Sequence, residues 1–230
     1  MASDSRTNAG YDHATVARKM HFLVQPGERV FILLTSGSLS LSQSIMTLVK
    51  RDFDNGLGLA QAASLYDAAR SIGQHVRAMA EIDRAALERD DIQFNVHFIL
   101  GGQIKGQPPD LYLIYPQGNP MRACEESPFL QIGESKYGRP ILLRGIRHEE
   151  SSLEEAAKYA LISIDSTMRS NVSVGPPIDI VLYDRDDLQI KRFRRLTETD
   201  ADLREVHALW EKALREAVQK LPELTWDERI

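Results

Sequence analysis

The order of apolar segments along the chain is the feature that most constrains its fold. Strand-like runs come first, followed by a pair of helical stretches, further strands, a second helix pair, two strands and a last helix. Parallel strands need a long crossover between them, usually a helix, and this order lacks that strict alternation. It is typical of antiparallel sheets with helices grouped on their outer faces. Two antiparallel sheets stacked between two helix layers, a four-layer αββα sandwich of the α+β class, accommodate it.

The individual segments follow from the spacing of their apolar residues. The predicted strands are 28–35, 92–100, 111–115, 121–124, 178–183 and 189–194. The predicted helices are 38–52, 59–88, a segment that follows 151–155 and ends before 175, and 200–220. The serines and glutamates of 151–155 predict a capping box, and 101–106 is interpreted as a hairpin turn. We expect one αββα domain over residues 1–195 and a helical extension, used in assembly, over 196–230.

Composition and charge exclude several classes of protein. The chain has 230 residues, a net charge of −5 and a sequence pI of about 5.7, which favours neither nucleic acid nor an anionic membrane as partner. No apolar run is long enough to span a membrane, and the single cysteine, Cys124, is expected to be a packed thiol in a reducing, cytoplasmic setting. The six histidines lack the spacing of metal ligands, so neither a metal nor a cofactor is predicted.

The first twenty-one residues contain the most specific motif of the chain. They include Ser3-Asp4-Ser5-Arg6, then Asn8-Ala9-Gly10, then Arg18-Lys19-Met20. This run resembles the start of proteasome-type β subunits, and most closely the bacterial ancestral β subunits, the Anbu family. A second motif, Ile132 to Gly138, supports the resemblance, which covers most of the chain in outline. It implies the αββα fold of the N-terminal-nucleophile hydrolases, in which the first residue attacks an amide bond.

The resemblance implies a role for three residues in that chemistry. Lys19 would supply an ammonium that lowers the pKa of the nucleophile's α-amine and stabilises developing negative charge, and Asp4 would orient it. Gly37 lies in the strand-to-helix turn whose backbone N–H is the usual oxyanion donor. A turn before a helix leaves unpaired N–H groups directed at one place, which is independent physical support for that role.

Further site residues come from the same resemblance, with two departures from the proteasome pattern. Asn8 and Gly10 match the edge along which an extended peptide substrate binds by strand addition. Ser173 matches a serine that completes the proteasome site. Glu134 stands where that site has a second serine, and Ser170 stands where it has an aspartate. Proteasome-like peptide hydrolysis is therefore not expected to transfer unchanged.

The family pattern begins with a strand that carries an N-terminal threonine, whereas this sequence opens with Met1. We expect the chain as given to be inactive, and an upstream strand of about 5–6 residues with its turn to supply the threonine. The implied function is threonine-type hydrolysis of peptides or other amides by a homo-oligomer that assembles through its helices and C-terminal extension. Two alternatives remain open, a non-catalytic assembly module with the same fold and an amidase that acts on a small N-acyl substrate.

Overall fold

The computed structural model describes residues 1–8 and 14–226, and within them ten strands form three antiparallel sheets. The strands are β1 (Ala2–Ser3), β2 (Arg6–Asn8), β3 (Ala14–Val16), β4 (Met20–Gln25), β5 (Arg29–Gly37), β6 (Val96–Ile104), β7 (Asp110–Ile114), β8 (Pro120–Arg122), β9 (Ile178–Leu182) and β10 (Arg192–Leu196). The helices are α1 (Leu39–Asp54), α2 (Leu65–Arg89), α3 (Arg139–Gly145), α4 (Leu153–Met168) and α5 (Ala201–Gln219), with a 3₁₀-helix over Gly58–Gln61.

Two larger sheets and one hairpin make up the strand topology. A meander of β4-β5-β6-β7-β8 forms the five-stranded sheet, and β1-β9-β10 forms the three-stranded sheet. Among the described strands, β2 and β3 pair only with each other. Every pairing is antiparallel, as the element order predicted.

Three buried clusters fill the three interfaces of a four-layer sandwich. Alternate residues of β5 point to opposite faces, so Phe31 and Leu33 pack against α1 and α2, while Ile32 and Leu34 face the second sheet. A third cluster, built around Ile178, joins the three-stranded sheet to α4 and α5. The predicted αββα sandwich of the α+β class is confirmed.

The start of α4 follows the predicted local signal. The Ser152 hydroxyl accepts the backbone N–H of Glu155, and the Glu155 carboxylate accepts the backbone N–H of Ser152. This capping box satisfies two of the N–H groups that a helix start leaves unpaired. None of the described helices is both long and apolar enough to cross a membrane.

The predicted helix over 59–88 is wrong at its start. Residues 58–61 form the 3₁₀-helix, and α2 begins at Leu65 after Ser64, whose hydroxyl accepts the Asp67 backbone N–H. Apolar residues recur at helical spacing through both elements, so the sequence predicts one helix. The Ser64 hydroxyl, however, caps the first turn of α2, and the helix begins there. The described β10 also lies later than the predicted strand, at 192–196 rather than 189–194.

Two further predictions need correction. Strand β6 runs through Gly101 and Gly102, where the sequence predicts a turn. A Cβ on Gly102 would lie 2.0 Å from the Val30 carbonyl oxygen, so glycine permits the close approach of β5 inside the sheet. Cys124 is exposed rather than packed, because it lies in the loop after β8.

Candidate active site

Asp4 lies in the connection between β1 and β2, and three donors converge on its carboxylate. The Lys19 ammonium donates to Oδ1 at 2.7 Å, and the backbone N–H groups of Arg6 and Gly175 donate to Oδ2, each at 3.1 Å. The Asp4 and Lys19 side chains are only 13% and 19% exposed. Burial of a charged group is expensive unless hydrogen bonds compensate it, and the Asp4 carboxylate accepts three.

The predicted pairing of Asp4 with Lys19 is therefore present in the structure. The two residues do not lie within one ladder, because each stands just beyond the end of the β2–β3 hairpin. The Lys19 carbonyl accepts the backbone N–H of Thr35 at 3.0 Å, which holds the lysine beside the end of β5. The catalytic roles of Asp4 and Lys19 remain predictions.

Gly37 forms the junction between β5 and α1. Its φ is +96°, and a Cβ at this position would lie 2.4 Å from the carbonyl oxygen of Asn95. That same oxygen accepts the Ser38 backbone N–H at 2.8 Å. The Ser38 side chain makes no capping hydrogen bond, so the first N–H groups of α1 depend on other acceptors. The junction combines a glycine that the backbone requires with the positive end of a helix dipole.

Ser173 lies in the loop between α4 and β9 and is held by a neighbour. Its backbone N–H and its hydroxyl donate to Oδ1 of Asn171, at 2.9 and 2.6 Å. The Asn171 amide in turn donates to Oε2 of Glu134 at 3.1 Å. The sequence drew attention to Glu134 but missed Asn171. No pattern connects the two residues, because thirty-seven positions separate them.

A single cavity of about 1510 Å³ connects these residues. Asp4, Lys19, Gly37 and Ser173 all contribute to its wall, and Glu134 lies on the same wall. Most of the remaining wall is apolar and comes from both sheets and from α4. The structure thus brings together the four predicted catalytic residues at one opening between the layers.

The predicted substrate edge is only partly described. Asn8 ends β2 and pairs with Ala14 across the hairpin, while Gly10 lies outside the described residues. The Arg6 side chain donates to the Val172 carbonyl at 3.2 Å and lies against Gly175, where a Cβ would meet the guanidinium. Arg6 therefore fastens the hairpin to the loop that carries Ser173.

The α-amine of Met1 reaches the same cavity. It donates to the Val181 carbonyl at 2.8 Å, in register with the β1–β9 ladder. Burial lowers the pKa of this amine from 8.0 to about 6. An apolar wall favours a neutral amine here, because desolvation penalises the charged form.

Among the described residues, no group of three or more histidine, cysteine or acidic side chains is arranged to hold a metal ion. The polar groups of the site are instead a lysine, carboxylates, hydroxyls and backbone N–H groups. The four-layer sandwich, with a cavity lined by residues of both sheets, has the proteasome-like fold of the N-terminal-nucleophile hydrolases.

Comparison with solved structures identifies the family. Anbu from Hyphomicrobium sp. strain MC1 is 43% identical with a TM-score of 0.89, over 98% of this chain and 94% of that one. The ancestral β subunit, Anbu, from Yersinia bercovieri is 40% identical with a TM-score of 0.91, over 99% and 94%. The helical assembly of the Anbu complex from Pseudomonas aeruginosa is 42% identical with a TM-score of 0.91, over 97% and 92%. The chain belongs to the Anbu family.

Comparisons of other kinds are negative. No family model matches the sequence, and no curated protein is significantly similar to it.

Proposed function

We propose that this protein is a subunit of a homo-oligomeric amide hydrolase of the threonine type. In this proposal an N-terminal threonine attacks an amide carbonyl and its own α-amine takes the proton. Lys19, oriented by Asp4, favours the neutral amine and stabilises the nucleophile. The N–H groups at Gly37 and the start of α1 stabilise the oxyanion of the tetrahedral intermediate.

The observation that carries the proposal is the pairing of Asp4 and Lys19 in the wall of the cavity. An exposed ion pair contributes little to stability, whereas a largely buried lysine in the wall of a cavity is typical of a functional site, where its charge stabilises an anion that forms there. The 2.7 Å contact and the low exposure of both side chains support a functional pair. Gly37 contributes to the same wall, as the oxyanion role requires.

Strand β1 offers a place for the segment that would carry the threonine. Among the described strands, β9 is its only partner, so β1 lies at the edge of the three-stranded sheet. The buried hydroxyl of Ser3 has no hydrogen-bond partner among the described residues. An unpaired strand edge beside an apolar cavity favours the addition of another strand. We propose that an upstream strand of about 5–6 residues pairs here and presents the threonine to Lys19.

The test compares residues 1–230 with a version extended by such a strand that begins with threonine. The extended version is expected to melt at a higher temperature and to form an adduct with a threonine-directed electrophile, whereas residues 1–230 form none. Replacement of that threonine by alanine should remove the adduct and keep the gain in melting temperature. An adduct on Ser3, or equal melting temperatures, would contradict the proposal.

The same extended protein separates the alternative functions. Turnover of acyl-peptide fluorogenic substrates supports a peptidase, and turnover limited to short N-acyl amides supports the small-substrate amidase. A gain in stability with neither adduct nor turnover supports an assembly module without catalysis.

Self-assembly is the second part of the proposal. From Lys212 onward every described residue of α5 and the segment after it is exposed. Leu214, Val218 and Leu221 recur at helical spacing on this segment, and Trp226 is 78% exposed. Apolar side chains in such an arrangement are typical of a helix that packs against a partner. We propose that this segment contacts other copies of the chain, as the assembly of the Pseudomonas aeruginosa relative suggests.

A further inference from the structure

Ser173 is held by hydrogen bonds that begin at Glu134. Glu134 lies in the loop before α3, and its two carboxylate oxygens have different partners. Oε1 accepts the backbone N–H of Lys136 at 2.9 Å, and Oε2 accepts the side-chain amide of Asn171 at 3.1 Å. Asn171 then presents its Oδ1 to Ser173, whose backbone N–H and hydroxyl both donate to it. The four residues form one continuous chain of hydrogen bonds across two loops.

The direction of each bond follows from the chemistry of the groups. An ionised carboxylate only accepts, so the Asn171 NH₂ group must face Glu134 and its oxygen must face Ser173. The opposite orientation would bring the amide oxygen against the carboxylate. A serine hydroxyl has one proton, and Ser173 donates it in the hydrogen bond of 2.6 Å from its Oγ to Oδ1 of Asn171. The Ser173 oxygen therefore has no proton left for a ligand in the cavity, and it can only accept hydrogen bonds there.

The loop that carries Ser173 is also fixed to the ion pair. The backbone N–H of Gly175, two residues further on, donates to Asp4 at 3.1 Å. Ser173, Asp4 and Lys19 therefore lie on one cavity wall, with the loop held at Glu134 on one side and at Asp4 on the other. A hydroxyl constrained in this way complements a cation and opposes an anion.

We propose that Glu134 and Asn171 are positioning residues that fix Ser173 as a hydrogen-bond acceptor for a protonated amine in the cavity. The identity of the amine rests on the proposed function, in which the α-amine of the nucleophile becomes an ammonium after it takes the proton. At that stage it needs an acceptor, and a serine that directed its own proton into the cavity would repel it. This chain departs from the proteasome pattern at positions 134 and 170, and in it the hydrogen bonds from Glu134 through Asn171 hold Ser173.

The hydrogen-bond chain can be tested by NMR without any turnover. The protein is labelled with isotopes on asparagine, serine and the glutamate carboxyl carbon, and pH is titrated through the ionisation of Glu134. The Asn171 side-chain amide and the Ser173 backbone amide should shift with the same midpoint as the Glu134 carboxyl carbon. In Glu134→Gln the pH-dependent shifts of both amides should be lost. In Asn171→Ala the signal of the Glu134 carboxyl carbon should still change with pH, whereas the Ser173 backbone amide should not. Glu125→Gln, the same change at an exposed carboxylate of the cavity rim, should leave all three signals unchanged.

The acceptor role is tested with propylammonium chloride as the probe and sodium propionate as its anionic counterpart. Propylammonium should shift the Ser173 signal of the unmodified chain saturably, and propionate should not. In Ser173→Ala protein that is also labelled on glycine, the neighbouring Gly175 amide should lose the response to propylammonium that it has in the unmodified chain. Ser173→Thr, which keeps the hydroxyl, should restore that response.

Different failures of these experiments have different meanings. Separate midpoints for Glu134 and Ser173 would overturn the hydrogen-bond chain, and an equal response to propylammonium in Ser173→Ala would overturn the acceptor role. Neither result depends on hydrolysis. An extended chain that forms no threonine adduct would refute the proposed function and leave the NMR result standing.

Discussion

The contacts of Asp4 and Lys19 predict very different consequences when one or the other is removed. Asp4→Ala leaves three donors without their acceptor, namely the Lys19 ammonium and the N–H groups of Arg6 and Gly175. Each unsatisfied buried group costs about 1–3 kcal/mol, and partial exposure of the pair favours the lower end. We therefore expect Asp4→Ala to lower the free energy of unfolding by about 3–5 kcal/mol.

Lys19→Met removes one hydrogen bond and keeps the length of the side chain. The carboxylate of Asp4 retains both backbone N–H groups, so it is not left without partners. The expected loss is about 1–2 kcal/mol. Asp4→Asn should fall between the two variants, because its amide oxygen still accepts from the backbone.

Urea denaturation followed by circular dichroism measures these differences, provided that the slope of the transition is the same in all variants. Arg51→Ala is the matched control, because its 3.3 Å ion pair with Asp52 uses an exposed arginine side chain, and little change in the free energy of unfolding is expected. If Asp4→Ala lost no more stability than Lys19→Met, the two backbone bonds to Asp4 would not contribute, and the interpretation of Asp4 as the centre of the site would fail.

Three further predictions follow from other parts of the structure. Gly37→Ala should lower the free energy of unfolding by about 2–4 kcal/mol, because it combines a positive φ with a Cβ 2.4 Å from a carbonyl oxygen. Gly27→Ala, with a φ of +78° and no atom within 4 Å, should cost about 1 kcal/mol in the same urea denaturation, and equal losses would refute the steric argument. In the protein of residues 1–230, the buried α-amine of Met1 has a pKa lowered from 8.0 to about 6, so it binds fewer protons in the folded state than in the unfolded state. The free energy of unfolding should therefore rise by about 2 kcal/mol from pH 6 to pH 8. Acetylation of that amine should abolish this contribution, and an unchanged pH profile after acetylation would contradict it. Val218→Glu should reduce the mass in light scattering toward 25.9 kDa without a loss of melting temperature, whereas an oligomer that persists would exclude this face of α5 as the contact.

Local patterns in the sequence determined most of the architecture. The apolar run of β5 identified a buried central strand, since a segment buried on both faces must be apolar at every position. The helical spacing of apolar residues identified α1, α4 and α5, and the serines before α4 predicted its capping box. The opening motif identified Asp4 and Lys19 as a pair. The strand, helix and cap signals each lie within a few residues of the feature that they specify, so the sequence alone can carry them, whereas the pairing of Asp4 with Lys19 came from the family resemblance of the opening motif.

Tertiary structure alone decided the features that join distant segments. The contacts of Glu134 with Asn171, and of Asp4 with Gly175, connect loops that are far apart in the chain, and no periodicity marks them. The sequence likewise suggested a turn at Gly101 and Gly102, because glycine favours turns, whereas the close approach of β5 makes Gly102 necessary inside a strand. Local propensity depends on neighbours in sequence. The direction in which the Ser173 hydroxyl donates and the shape of the cavity depend on neighbours in space.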